Sequence, residues 1–174
     1  LSFKLIDNQV VVNPQRTIAQ TGWRTDNLSD AITNAALLDT FDLVSLQVGV
    51  NNQYQGRSPD AYRIEFRELL EMAIFYAKGN KDNVFVLSIP DYGATPFGCP
   101  NSVSIGQQID LFNQINKEVT DSMEVAYFDI TPISREAKTD PSLTCTDGLH
   151  PSGKMYKRWV DLIFPSLLQL AKQP

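Results

Sequence analysis

The sequence predicts an α/β protein in which a parallel sheet carries helices on both faces. Three short apolar runs carry that expectation: FDLVSLQVG (41–49), NVFVLSIP (83–90) and EVAYFDI (124–130). Each is rich in Val, Ile, Leu, Phe or Tyr and none alternates cleanly with polar residues, as in strands buried on both sides. Helical patterns lie between them, so the order reads (α)βαβαβαβα, the alternation that argues a parallel sheet.

Taken along the chain, residues 2–8 read as the tail of a helix, and RTIAQTG (16–22) reads as a weaker fourth strand. Residues 25–38 form a helix opened by a capping Thr or Asp and closed in an Ala/Leu-rich turn. Ser58-Pro59-Asp60 supplies an N-cap, a first-turn Pro and a first-turn acid for a helix running to about Ala77, which Lys78-Gly79-Asn80 ends. In 103–122, Ile105, Ile109, Phe112, Ile115 and Val119 make one apolar face. From Pro151 a last amphipathic helix begins, with Trp159, Leu162, Ile163, Leu167 and Leu170 on its apolar side. The longest irregular stretch is PDYGATPFGCPNS (90–102), and loops at the carboxyl ends of strands border the site in open α/β sheets.

A chain of 174 residues fits one domain, 1–174, with a single sizeable core. The net charge of −5 and the lack of a basic stripe speak against nucleic-acid binding. No apolar run approaches the roughly 18 residues that a membrane span needs. The first residues, LSFKL, contain neither Met nor a signal peptide, which places the true start upstream or implies its removal. Cys99 and Cys145 match no zinc or redox motif. They read as two unpaired small residues or as one disulfide; the disulfide would favour a secreted or periplasmic location.

In this layout every strand-to-helix loop falls on one rim of the sheet. Three of these loops carry chemistry: QTGWRTD with Gly22, GVNNQYQGRS with Asn51 and Asn52, and TDGLHPSG with Asp147 and His150, the only histidine. Singly, each has an ordinary reading. Gly22 permits a turn, Asn51 and Asn52 support local backbone bonds, and His150 caps the last helix. Together on one rim they point to acyl transfer. His150 acts as general base toward a hydroxyl nucleophile, and Asp147 accepts the other ring N–H and fixes the tautomer. The Asn51 side-chain amide and the Gly22 backbone N–H donate to the oxyanion.

GVNN after a buried strand, TG after the preceding one and DGLHPSG before the terminal helix resemble the SGNH (GDSL-like) hydrolase family. The likeness extends in order through AQTGWRTDNL, LVSLQVGVNNQYQGRS, VFVLSIPDYGATPF and DITPISREA, which are similar to esterase-type bacterial members. The resemblance implies a flavodoxin-like three-layer α/β/α fold, cleavage of carboxylic esters by a Ser-His-Asp triad, and a small ester substrate such as an acyl lipid or acetylated sugar. It implies Gly22 and Asn51 for the oxyanion hole and Asp147 and His150 for the triad. No cofactor and no metal is called for. Where the family's third block reads Gly-x-Asn-Asp, this chain has Asn52 in place of the Asp.

The family's first block, the Gly-Asp-Ser that carries the nucleophile, is missing. Twelve serines are present, none in Gly-Asp-Ser or Gly-x-Ser-x-Gly. Ser2 follows no strand, Ser45 and Ser88 lie inside predicted strands, Ser58 is an N-cap and Ser152 opens the last helix. The expectation is therefore an N-terminally incomplete domain that lacks its first strand and some 25 or more residues, roughly a strand, a loop and a helix. In the strand order 2-1-3-4-5 that strand is central, so its absence leaves two interior strands unpaired. An N-terminal segment completing the fold is thus expected, either cleaved and held in place or outside these residues; the fragment alone is expected to be inactive. A non-catalytic SGNH-fold module that binds a glycan or protein is the alternative. A metallohydrolase ranks third, because one His is a poor basis for a metal site.

Overall fold

The computed structural model describes residues 1–171. Its helices are α1 Ser2–Asp7, α2 Thr25–Asn34, α3 Val50–Tyr54, α4 Pro59–Tyr76, α5 Ser102–Ser122, α6 Thr131–Arg135 and α7 Gly153–Ala171. The strands β1 Val44–Leu46, β2 Val84–Leu87 and β3 Ala126–Phe128 form one parallel sheet in the order β1-β2-β3. Val44 stands opposite Val84, and Val86 opposite Tyr127.

Because side chains alternate along a strand, the sheet feeds two apolar layers. On one face Leu46, Val84 and Val86 pack with Leu28 of α2, with Tyr62, Phe66, Leu69 and Leu70 of α4, and with Ile109, Phe112 and Ile115 of α5. On the other, Phe85 joins Ile163 and Leu167 of α7, with Leu1, Leu87 and Phe128 against them. The sheet therefore lies between helical layers, the α/β/α arrangement expected. Phe66 and Leu70 are fully enclosed, each worth about 1.5–3 kcal/mol of transfer free energy. The α1 helix is held to α7 by the Lys4–Asp161 ion pair and by the Lys4 ammonium 5.0 Å from the Phe164 ring.

Four expectations change in detail. RTIAQTG is not a strand: residues 9–20 form no regular element, and no backbone hydrogen bond joins 9–22 to β1 among the described residues. A strand exists only through a ladder, and none is offered to this segment. The three strands are shorter than their apolar runs for a related reason: the parallel ladders pair only residues within Val44–Leu46, Val84–Leu87 and Ala126–Phe128. The α2 helix starts after Arg24, without a Thr or Asp cap. Asn27 Oδ1 accepts from the Arg24 N–H at 3.2 Å, because the Thr25 hydroxyl is spent on tertiary partners. Leu162 is exposed; Met155, Trp159, Ile163 and Leu167 make the buried stripe of α7.

Candidate active site

The loop after β3 and α6 brings Asp147 and His150 together. An antiparallel bridge between Thr144 and Pro151 closes it, and Cys145 N–H donates to the His150 carbonyl at 2.7 Å. Gly148 takes φ +69°, a left-handed conformation that lets the chain reverse between the two residues. Asp147 Oδ1 accepts the N–H groups of Leu149 and His150 at 2.9 and 3.0 Å, and its Oδ2 lies 2.7 Å from His150 Nδ1. The backbone donors, Leu149 first, and then the imidazole hold the Asp147 carboxyl down to about 2. The carboxylate is thus held ionised by the backbone as well as by the ring. Ser152 then caps α7, its Oγ accepting the Met155 N–H at 3.3 Å.

The second arm is the packed turn of Gly22 against α3. Gly22 has φ +86° and no atom near its absent Cβ, so the backbone angle alone selects glycine there. Asn51 Nδ2 donates to the Trp23 carbonyl at 3.0 Å, which orients the amide toward the turn that bears Gly22. Gln55 of the same segment reaches the Gly22 carbonyl at 3.5 Å and the Arg24 guanidinium at 2.7 Å. Asn52 is fully buried; its Oδ1 accepts the Thr25 N–H at 3.1 Å and its Nδ2 donates to Thr25 Oγ1 at 2.6 Å. Behind α3, Gly49 has φ +124°, and a Cβ there falls 2.3 Å from the Tyr62 hydroxyl. That hydroxyl lies 3.0 Å from the Val48 carbonyl and 2.6 Å from Asn116 Oδ1. The strand-to-helix turn that presents Asn51 is therefore built on a buried phenol.

The two arms are linked through the 90–102 loop. Tyr54 of α3 meets Tyr92 edge-on at 6.0 Å, Tyr92 meets Phe97 at 6.4 Å, and the Phe97 N–H donates to the Gly148 carbonyl at 3.0 Å. The same loop is anchored from below. Asp91 accepts from Arg135 Nε at 2.9 Å, and the Asp91 N–H donates to Ser134 Oγ at 2.8 Å. Cys99 and Cys145 are free and exposed, so the pairing that would favour an oxidising compartment is not formed.

Among the described residues Asp147 is the one side chain hydrogen-bonded to the His150 ring. Ser88 is buried on Asp129, Thr131 and Ile130, and Ser58 caps α4. Sequence reasoning missed Thr25, Glu65 and Tyr62 as supports of the turns that carry Gly22 and Asn51. They bond across 27, 40 and 14 residues of chain, and no local pattern signals such pairings. It also read the Asn51 segment as a loop, where the chain forms the short helix α3.

The chain matches the GDSL-like Lipase/Acylhydrolase family over residues 1–158. A comparison with curated proteins returns no match. Several solved structures share the fold. TesA is 15% identical with a TM-score of 0.65, covering 97% of this chain and 85% of its own. The lipase/acylhydrolase from Enterococcus faecalis is 21% identical with a TM-score of 0.63, covering 88% of this chain and 75% of its own. Axe2, an acetylxylan esterase from Geobacillus stearothermophilus, is 16% identical with a TM-score of 0.61, covering 88% and 69%. With the α/β/α layering and a match over most of its length, the chain belongs to the GDSL-like Lipase/Acylhydrolase family.

Proposed function

We propose that this chain is the greater part of a single-domain serine esterase that hydrolyses small carboxylic esters. Its nucleophile is a serine outside these residues, in a segment upstream of Leu1. The observation that carries the reading is the Asp147–His150 pair, with 2.7 Å between Oδ2 and Nδ1 and two backbone N–H groups fixing the carboxylate. A histidine oriented in this way keeps its proton on Nδ1 and offers Nε2 as base.

The reaction runs in two halves. His150 Nε2 takes the serine proton as the hydroxyl attacks the ester carbonyl. The tetrahedral oxyanion is met by the Gly22 N–H and by the Asn51 amide hydrogen not given to Trp23. His150 then returns the proton to the leaving alcohol, and water repeats the sequence on the acyl-enzyme. Asp147 stabilises the imidazolium throughout without taking the proton. Each oxyanion donor is worth about 2.7–4 kcal/mol at the transition state.

The sheet supports an upstream strand. Among the described residues the outer edge of β1 has no ladder partner, and residues 16–20 pair with no strand. One added strand between them would pair both, and a turn at its carboxyl end would reach the rim that bears Gly22, Asn51 and His150. The 174-residue chain by itself is then inactive.

The test is turnover of a short-chain aryl ester by the full-length protein, with labelling by a serine-directed fluorophosphonate. Turnover with one label on an upstream serine is expected. No turnover and no label would instead favour a non-catalytic binding module.

A further inference from the structure

At Thr25 three helices meet on one hydroxyl group. Thr25 opens α2, Asn52 lies in α3 and Glu65 in α4; Thr25 and Asn52 have no exposed surface, and Glu65 is half-buried. Thr25 Oγ1 donates to Glu65 Oε2 and accepts from Asn52 Nδ2 at 2.6 Å. The Thr25 N–H donates to Asn52 Oδ1 at 3.1 Å. A carboxylate only accepts, so Glu65 draws the single hydroxyl hydrogen toward itself. The hydroxyl oxygen then needs a donor on its other side. Among the residues that reach it, only the Asn52 amide supplies one. The hydrogen bonds therefore run in one direction: Asn52 amide to Thr25 hydroxyl to Glu65 carboxylate.

We infer that Asn52 and Glu65 are positioning residues for the oxyanion hole, acting as a matched pair through the Thr25 hydroxyl. The proposal rests on the esterase reading above. The turn held by Thr25 carries the Gly22 N–H three residues earlier and the Trp23 carbonyl that receives Asn51 Nδ2 at 3.0 Å. Asn52 follows Asn51 in α3. The chain of bonds thus fixes one oxyanion donor against the other, and neither Asn52 nor Glu65 has to touch substrate. An aspartate in place of Asn52 is nearly isosteric and would satisfy the Thr25 N–H. It would also place two carboxylates on a hydroxyl that has one hydrogen, and the turn would part from α3.

The test is made in the full-length protein with three variants: Asn52→Asp, Glu65→Gln and Asn52→Asp/Glu65→Gln. Asn52→Asp is expected to lower kcat by about 10- to 100-fold with KM changed less than about twofold. Loss of alignment at the transition state has that signature, and a displacement near 1 Å costs up to about 100-fold. In the double variant the amide introduced by Glu65→Gln donates to the Thr25 hydroxyl, which in turn donates to the carboxylate introduced by Asn52→Asp. The bond direction reverses, and kcat returns to within about fivefold of wild type. Hydrogen exchange over residues 22–28 reads the turn itself: faster in Asn52→Asp, restored in the double variant. That readout needs no catalysis, so an inactive wild type would sink the esterase reading and leave this test standing. Wild-type kcat and exchange in Asn52→Asp would overturn the pairing. So would a slow Asn52→Asp that Glu65→Gln fails to restore. If Asn52→Asp does not fold, a folded double variant upholds the pairing, and failure of both overturns it.

Discussion

The Asp147 carboxylate meets two backbone N–H groups and one ring, and the order of these causes has a measurable consequence. The Leu149 N–H leads, then the His150 N–H, then the imidazole. Replacing His150 by Ala removes only the last. In 13C NMR the Asp147 carboxyl is expected to titrate near 2 in the native chain, and in His150→Ala to rise yet stay below the ordinary value of 3.8. A return to 3.8 in His150→Ala would refute the backbone cause. Because the folded-state value is depressed, the group's contribution to stability is present above about 3.8 and lost as pH falls toward about 2. Any acid limb of activity at higher pH therefore belongs to another group. In full-length protein, His150→Ala should lower ester turnover by about three orders of magnitude or more. Its unfolding free energy should move by less than about 0.5 kcal/mol, since the ring is exposed. Unchanged turnover would remove His150 from the reaction.

Among the elements, the turns that precede α2 and α3 each carry a glycine with positive φ, and the two differ in kind. Gly22 is required by its backbone angle alone, since nothing lies within 4 Å of a Cβ there. Gly49 is required by angle and by space, with Tyr62 Oη at 2.3 Å and Ile89 Cδ1 at 2.7 Å from the same position. Gly22→Ala is expected to cost about 1–2 kcal/mol from the left-handed angle. Gly49→Ala should exceed that by about 1–3 kcal/mol of overpacking, as read by urea unfolding. Equal costs would show that the Tyr62 phenol gives way freely. The α3 helix itself was not legible in the sequence. Its VNNQY run has the polar character of a loop, and it becomes helical because Gly49 starts it and Asn51 and Asn52 are fastened to the neighbouring turn.

On the scale of the whole molecule, β2 lies between two neighbours and both helical layers, whereas β1 and β3 each have one edge without a ladder among the described residues. On the proposed reading, an upstream strand adds to the β1 edge. An open edge beside apolar side chains is a template for further pairing. The 174-residue chain is therefore expected to self-associate with rising concentration in sedimentation velocity. A chain extended upstream by a strand-bearing segment should remain a monomer. Monomeric behaviour of the shorter chain across the micromolar range would count against the open edge. The core is centred on α4 and α5, so Phe66→Ala, at a site with no exposed surface, should cost about 3–5 kcal/mol.

Local sequence is enough for the layered α/β class, the three paired strands, the long helices α4, α5 and α7, and the Asp147–His150 pair. Each of these is written locally: apolar runs set strands, periodicity and caps set helices, and a three-residue spacing across a glycine turn suffices to bring Asp147 to His150. Tertiary structure decided what depends on a distant partner. RTIAQTG has strand composition and no ladder, Thr25 has cap chemistry and spends it on Asn52 and Glu65, and Leu162 has an apolar side chain on an exposed helix face. In each case a hydrogen-bonding or packing partner from elsewhere in the chain, present or absent, overrode the local preference. No stretch of residues read alone contains that partner.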